Sequence, residues 1–224
     1  MSKRYNEAVK LIEKDKTYPV EEAIKLAKQT STVKFDASIE VHIRLNIDTK
    51  QTDQKIRTQI QLPHGTGKSI KIAAFVTPAK EKEAKDAGAD IVGGEELIKE
   101  IKETGKTDFD MAVAEPAMMK NLAVIAKTLG QRGLMPNPKT GTVTPDIAKA
   151  VKELKGGKVD VKTDDTGVIH QAIGKVSFDD TKLLENFKAL KDTILKAKPA
   201  SVKKEFISSI TVSSSMGPGI RLAK

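Results

Sequence analysis

Several residue types are absent or rare in this sequence of 224 residues, and their absence excludes whole classes of protein. Cysteine is missing, which excludes disulfides, thiolate metal sites and cysteine nucleophiles. Tryptophan is also missing and aromatic residues make up 4% of the chain, so a broad platform for stacking bases is not expected. No apolar run approaches the roughly 18 residues of a membrane span, and the polar N-terminus lacks the apolar core of a signal peptide. We therefore expect a cytoplasmic protein with no membrane partner.

Basic residues, by contrast, are abundant. Lysine and arginine number 39 against 30 aspartates and glutamates, which gives a formal charge of +9 and a pI near 9.5. This balance favours a polyanionic partner, because cations that neutralise phosphates release condensed counterions. A lysine-rich solvated surface is the alternative interpretation of the same composition. With so few aromatics, recognition of an RNA backbone and its shape is favoured over base stacking.

The hydrophobic pattern divides the chain into an outer part and an insert. In the outer part apolar and polar residues alternate, which predicts strands with one buried and one solvent face, over the segments 38–47, 55–62, 158–163 and 168–178. Between 67 and 156, short unbroken apolar runs alternate with helical segments. That pattern is typical of a small parallel sheet buried on both faces.

We therefore predict two domains, one α+β and one α/β. The split α+β domain has an antiparallel sheet and consists of residues 1–66 plus 157–224, and a Rossmann-like α/β domain of 67–156 is inserted in it. Hinges are expected near 65–68 and 156–158, because glycine absorbs large backbone changes, at Gly65, Gly67, Gly156 and Gly157. The outer segments carry a net charge of +7 and the insert +2, so the surface for a polyanion is expected on the split domain.

The candidates for catalytic chemistry are weak. The segment 65–69 resembles a nucleotide-binding P-loop, but Leu62 stands at the place of its first glycine and Pro63 lacks an amide donor. A nucleotide-dependent enzyme remains the alternative function. The three histidines lack the spacing of a metal site, and no nucleophile, base and orienting group converge on one segment. We predict no catalytic residue, no metal and no cofactor.

Three further features each have two interpretations. The loop 130–143, with two prolines and two cations, is either a connection that caps the insert or a basic finger for RNA phosphates. The tail 213–219 is either a loose terminus or a turn whose hydroxyls, amides and Met216 side chain approach a nucleotide. Phe35 is either an ordinary core residue or an exposed aromatic that contacts a nucleotide.

Motifs along the whole chain resemble the L-one family of large-subunit ribosomal proteins, which form the ribosomal stalk. The proline-rich loop and the Met-Gly-Pro tail are the most specific of them. The matching segments, in chain order, are 34–36, 40–42, 62–68, 88–90, 92–96, 132–143, 166–170 and 215–218. The resemblance implies a two-domain protein that is monomeric when free. Asp165, Ser215 and Gln131 depart from the residues that are common in the family, which are lysine, threonine and proline.

The resemblance also implies the function. The split domain would bind a folded segment of large-subunit rRNA at the mobile stalk beside the tRNA exit site and assist release of deacylated tRNA. The protein would also repress translation by binding the leader of its own mRNA. The RNA contacts implied are Lys34, Phe35, Ser38, Thr166, Gly167, Ser213, Ser214, Ser215, Met216, Gly217 and Pro218. Asp165 is unfavourable beside these contacts, because a carboxylate repels phosphate.

Overall fold

The computed structural model describes residues 3–13, 16–199, 201–202 and 205–223, without the side chains of Thr52 and Lys139. Helices and strands follow one another in a mixed order. The helices are α1 Lys3–Lys10, α2 Val20–Gln29, α3 Glu81–Asp86, α4 Glu95–Thr104, α5 Met119–Leu122, α6 Ala126–Gln131, α7 Ile147–Lys155 and α8 Asp180–Lys196. The strands are β1 Ser38–Leu45, β2 Arg57–Gln61, β3 Ile72–Phe75, β4 Ile91–Gly93, β5 Met111–Ala114, β6 Lys158–Lys162, β7 Val168–Lys175, β8 Ile207–Ser214 and β9 Ile220–Arg221.

The chain forms two compact units. The split unit consists of Met1–Gly67 and Gly157–Lys224, and the inserted unit of Lys68–Gly156. The split unit contains antiparallel sheets and the inserted unit a parallel one. The predicted fold class, an antiparallel α+β domain with an inserted α/β domain, is confirmed.

The split unit is built on a four-stranded sheet in the order β7-β1-β8-β9, all of whose pairs are antiparallel. The central strand β1 alternates as the sequence predicts: Ile39, Val41 and Ile43 are completely buried, and the residues between them are not. Helices α2 and α8 cover the apolar side, where Phe187 and Leu190 join the same core as β1. The other side of the sheet stays polar.

A second, two-stranded sheet completes the split unit. Strands β2 and β6 pair antiparallel, with Ile60 opposite Val159 and Thr58 opposite Val161. Ile60 and Val161 join the core of the split unit, while Arg57 and Lys162 lie opposite each other on the solvent side. The alternation in the sequence reflects this one-sided burial.

The inserted unit has a three-stranded parallel sheet in the order β4-β3-β5. Its central strand β3 is buried at all four positions, because helices pack on both faces. Ala73 and Phe75 belong to the core on one face and Ile72 and Ala74 to the core on the other. This two-sided burial explains why the strand is an unbroken apolar run in the sequence.

Two local features differ from the sequence expectation. One helical segment of the insert, 116–131, begins with a 3₁₀ turn at Pro116–Met118 and is interrupted by another at Ala123–Ile125. The short strand β9 has no sequence signal, since two residues are too few to show a period. Its backbone pairing to Thr211 and Val212 gives the C-terminal tail a fixed position on the sheet.

Candidate nucleic-acid interface

The polar side of the four-stranded sheet, here called the open face, is a continuous surface on four strands. It is defined by side chains that alternate with the buried ones, namely Ser38, Glu40, His42, Arg44, His170, Ala172, Ser209, Thr211, Ser213 and Arg221. The register places His42 opposite both His170 and Thr211, and Glu40 opposite Ser213. Side chains in such rows are neighbours, so they form one polar surface.

The tail turn between β8 and β9 is anchored at one end of the open face. The Ser215 amide donates to the Ser38 carbonyl at 2.9 Å, and the Ser38 amide donates to Ser215 Oγ at 3.2 Å. Gly217 N donates to the Ser214 carbonyl at 2.8 Å and closes the turn. Met216 at its tip is 72% exposed. The tail is therefore an ordered turn that displays an apolar side chain.

The segment before β1 lies at this same end of the sheet. Phe35 is 57% exposed, so its interpretation as a core residue is wrong, and its contact with a nucleotide stays a prediction. Lys34 is exposed as well. Asp36 accepts hydrogen bonds from the Ser177 amide and hydroxyl, and Lys175 Nζ donates to Ser38 Oγ at 3.1 Å. These bonds fix the segment that directly follows Phe35, from Asp36 to Ser38.

The Thr166 turn lies at the opposite end of the open face. The carboxylate of Asp164 accepts from the Val168 amide at 2.7 Å and from the Thr166 amide and hydroxyl at 2.9 Å. The Leu45 amide donates at 2.9 Å to the carbonyl of Gly167, whose φ is +79°. The hydrogen bond from Val168, followed by those from Thr166, lowers the pKa of Asp164 to about 2.

This pKa predicts a pH dependence of the free energy of unfolding. Because the folded-state pKa of Asp164 lies below the unfolded value of about 3.9, the ionised carboxylate stabilises the fold above that pH. The contribution is lost as the pH falls toward 2. Urea unfolding of the wild type and of Asp164→Asn should differ at neutral pH and converge only as the pH falls to about 2 and below. A difference that is the same at both pH values would contradict this role.

The two ends of the interface are well separated. Ser38 begins β1 and Leu45 ends it, and at about 3.3 Å per residue the strand places them roughly 23 Å apart. Phe35, Ser38 and the tail turn therefore come together at one end, and Thr166 and Gly167 do not join them. The open face connects the two groups.

The charge of Asp165, which is unfavourable beside a phosphate, is partly neutralised in the structure. Asp165 pairs with Lys55, whose Nζ lies 3.1 Å from Oδ1. The pair is exposed and has a small energy, but it places a cation beside the carboxylate. This reduces the repulsion that a phosphate near the Thr166 turn would meet.

Three of the predicted contact residues are buried. Ser214 is 2% exposed and faces the core side of the sheet, opposite Ile39; Gly167 and Pro218 are buried too. The side chains of Ser214 and Pro218 are therefore not available for an RNA contact, and Gly167 has no side chain. They shape the turns instead: a Cβ on Gly217 would lie 2.3 Å from Ser214 Oγ, so this turn has no room for a larger residue.

Sequence reasoning did not assign His42, His170 or Asp164 to the site. His42 was recognisable as a residue on the solvent face of a strand. Its contact with His170 depends on the β1–β7 register, for which the chain offers no sequence signal across 128 residues. The role of Asp164 had a signal, since aspartate two residues before a threonine commonly accepts from the backbone in an Asx turn.

The glycines at the predicted hinges have different backbone states. Gly65, Gly67 and Gly157 have φ of +62°, +71° and +94°, whereas Gly156 has φ −75° and ends α7. Gly157 also packs against Gly65, whose Cα would lie 2.6 Å from an added Cβ. These conformations explain three of the glycines as turn residues, and their role as hinges stays a prediction.

The inserted unit does not have the geometry of a nucleotide site. A P-loop is followed by a helix whose N-terminus binds phosphate, but here the segment 65–69 leads into strand β3. Lys68 Nζ instead pairs with Asp110 Oδ1 at 2.5 Å. At the carboxyl end of β5, Glu115 accepts from Thr77 Oγ1 at 2.9 Å, which places a carboxylate where an open α/β sheet would bind its ligand.

The loop 130–143 is folded back on the inserted unit. Asn137 N donates to Thr142 Oγ1 at 2.8 Å, Thr140 is 2% exposed, and Val143 bridges to Ala114 of β5. Arg132 donates to Thr107 Oγ1 at 2.5 Å. These contacts fit the interpretation as a connection that caps the insert.

The part of the chain that the structure describes contains neither a metal-binding cluster nor a membrane-spanning helix. No three histidine, aspartate or glutamate side chains are grouped as a metal ion requires. No helix in the described ranges is long and apolar enough to cross a membrane.

Comparison with known proteins agrees with the sequence resemblance. Residues 26–218 match the ribosomal protein L1p/L10e family. The large ribosomal subunit protein uL1 of Thermosipho africanus is 52% identical over 221 residues, covering 99% of this chain and 95% of that protein. Those of Fervidobacterium nodosum and Mycoplasma capricolum subsp. capricolum are 53% and 54% identical, covering 99% of this chain and 94% and 98% of their own lengths. The chain therefore belongs to the ribosomal protein L1p/L10e family, as a bacterial-type uL1 protein and a structural, non-enzymatic constituent of the large subunit of the cytoplasmic ribosome.

Proposed function

We propose that this protein binds large-subunit rRNA through the open face and its two ends and thereby forms the mobile stalk near the tRNA exit site. The observation that carries the proposal is Met216. Its side chain is 72% exposed. Its φ is +62°, and no other non-glycine residue among those described has a positive φ. A left-handed backbone costs a non-glycine residue roughly 1–2 kcal/mol.

Such strain persists where the surroundings fix it, and it is typical of ligand-binding turns. Here the paired hydrogen bonds between Ser38 and Ser215 hold the residue before Met216, and the bond from Gly217 N to the Ser214 carbonyl closes the turn. In the free protein the Met216 side chain is exposed, so burial of this side chain does not offset the cost of the strained backbone. A ribose or base that packs on Met216 would supply that burial, with Phe35 exposed at the same end of the sheet.

The distribution of charge supports an RNA partner for this unit. The outer segments carry +7 of the total of +9. On the open face and its ends, Lys34, Lys175, Arg44 and Arg221 supply cations for phosphates, and the serines and threonines supply hydroxyls. The cations fix the position of the protein along the RNA backbone, and the hydroxyls bond to the ribose 2′-hydroxyl. Both contacts suit recognition of a folded RNA by its shape.

The same surface is proposed to bind the leader of the protein's own mRNA and so to repress its translation. It would do so if the leader resembles the rRNA segment in shape. Release of deacylated tRNA is proposed to follow from movement of the stalk, with the glycines at 65–68 and 156–158 as hinges. These roles rest on the family resemblance, and the site residues are those of the open face and its ends.

Chemical footprinting with competition tests the proposal. The full chain should protect one folded segment of large-subunit rRNA at moderate salt, and an excess of the leader RNA should remove that protection. The variant Met216→Asp should weaken protection of both RNAs by the same factor, because one surface binds both. Binding that stays unchanged in this variant, or an rRNA segment protected only by contacts with the inserted unit, would overturn the proposal.

A further inference from the structure

A continuous chain of four polar side chains crosses the open face. Asp164 Oδ2 lies 3.4 Å from His170 Nε2, and His170 Nδ1 lies 2.8 Å from His42 Nδ1. His42 Nε2 then lies 3.0 Å from Ser213 Oγ. This hydrogen-bonded chain of side chains begins at the Thr166 turn, crosses β7 and β1, and ends on β8, next to the residues that hold the tail turn.

Each contact in this chain has two possible directions until one member is fixed. Asp164 fixes it. Its pKa of about 2 keeps the carboxylate ionised at every pH at which the protein is used, and an ionised carboxylate only accepts hydrogen bonds. His170 must therefore carry its proton on Nε2, and the neutral ring leaves Nδ1 as an acceptor.

The direction then passes along the chain. Because His170 Nδ1 accepts, His42 must carry its proton on Nδ1, and its Nε2 becomes an acceptor. Ser213 therefore donates its hydroxyl hydrogen inward to His42. The half-buried Ser213 is left with oxygen lone pairs toward the solvent side of the sheet.

We propose that the chain Asp164–His170–His42–Ser213 fixes Ser213 as a hydrogen-bond acceptor on the RNA surface, so that it selects a donor on the RNA, a 2′-hydroxyl or a base N–H. A phosphate, which only accepts, is disfavoured at this point. Asp164 and the two histidines are positioning residues, and Ser213 makes the contact. This inference rests on the proposed function, because it names the RNA group that the open face reads.

One added proton reverses the chain. If the histidine pair takes up one proton, the contact between the two Nδ1 atoms reverses its direction, and the proton that His42 held on Nδ1 moves to Nε2. His42 Nε2 then donates to Ser213 Oγ, and the hydroxyl hydrogen turns outward. Ser213 changes from acceptor to donor, and the histidine pair gains one positive charge.

The surroundings of His42 favour its neutral form near physiological pH. Burial lowers the pKa of His42, His170 lowers it further, and Glu40 acts in the opposite direction. The charged groups that face the pair from the neighbouring elements are Glu40 and Arg44 of β1, Asp164 before β7, and Arg221 of β9. The pKa of His42 therefore lies below the usual histidine value of about 6.5, and this ring is neutral near physiological pH.

The tautomers can be measured in the full-length protein without RNA. Long-range nitrogen–proton NMR spectra at about pH 8 should show the proton on Nε2 in His170 and on Nδ1 in His42. The opposite tautomer in either ring would overturn the inference. Since no RNA is present, this result does not depend on whether the protein binds RNA.

The effect on binding is measured as the affinity ratio of wild type to Ser213→Ala for the rRNA segment at two pH values. At about pH 8 the ratio should be about 5- to 30-fold, as expected for one hydrogen bond, and at about pH 5 it should fall below about threefold. In a His170→Gln background the ratio should not change with pH. A ratio that is equal at both pH values in the wild-type background would overturn the inference, while a wild type that does not bind would overturn the proposed function alone.

Discussion

Met216→Asp is expected to weaken binding of the stalk rRNA by roughly 1–3 kcal/mol, the scale of one nucleotide contact. The side chain is 72% exposed at the tip of an ordered turn, so the change removes an apolar contact and adds a charge that repels phosphate. Affinity at fixed salt, measured by filter binding or fluorescence anisotropy, gives the result directly. An unchanged affinity would remove the tail turn from the site.

Two exposed apolar residues elsewhere provide matched controls. Leu195 on α8 is 45% exposed on the helix layer that covers the opposite side of the sheet, and Val124 in the inserted unit is 60% exposed. Aspartate at either position introduces the same charge away from the open face, and we expect the affinity to change by less than about threefold. A loss equal to that of Met216→Asp would indicate a general charge effect.

A glycine at the same position separates folding from binding. Met216→Gly should stabilise the fold by up to about 1 kcal/mol, because glycine adopts φ +62° without strain. It should nevertheless weaken RNA binding, since it removes the side chain. A variant that is more stable and binds more weakly is the combination that a strained binding residue predicts.

The second large effect is expected at Gly157, on the stability of the split unit. Gly157→Ala should lower the free energy of unfolding by about 2–5 kcal/mol, from left-handed strain and overpacking together. An added Cβ would lie 2.6 Å from Gly65 Cα and 3.0 Å from the Leu62 carbonyl, and these are backbone atoms, which cannot rotate away as the end of a flexible side chain can. Urea unfolding followed by circular dichroism measures the change.

Gly105 provides the control for this prediction. It has a similar positive φ of +65°, but an added Cβ would have nothing within 4 Å. Gly105→Ala should therefore show the strain alone, about 1 kcal/mol. Equal losses at the two glycines would show that close packing at Gly157 does not contribute.

The sequence predicts much of this fold because burial is one-sided in one unit and two-sided in the other. Ile39, Val41 and Ile43 alternate with polar residues, and the buried β3 does not alternate. The motifs of the tail and of the proline-rich loop predict the family. The exposure of Phe35 did not follow from the sequence, since an aromatic before a strand is as often part of the core.

The sequence does not predict which strand pairs place the polar residues together. His42 and His170 meet because β7 pairs with β1 in one register, and Ser38 meets Ser215 because β8 pairs with it on the other side. These pairings join residues more than 120 positions apart, and local periodicity contains no information about them. The burial of Ser214 and the strain at Met216 likewise depend on the turn that β9 closes.

The central claim is that the split unit binds the RNA, and its most direct test is to separate the two units. Within the split unit, Leu62 N donates to the Gly157 carbonyl at 3.1 Å, so a short linker can join residues 1–67 to 157–224. With its fold verified by circular dichroism, this protein should bind the stalk rRNA within about tenfold of the full chain, or about 1.4 kcal/mol. Residues 68–156 alone should bind the stalk rRNA no more tightly than they bind unrelated RNA. A folded split unit that does not bind, beside an inserted unit that does, would contradict the claim.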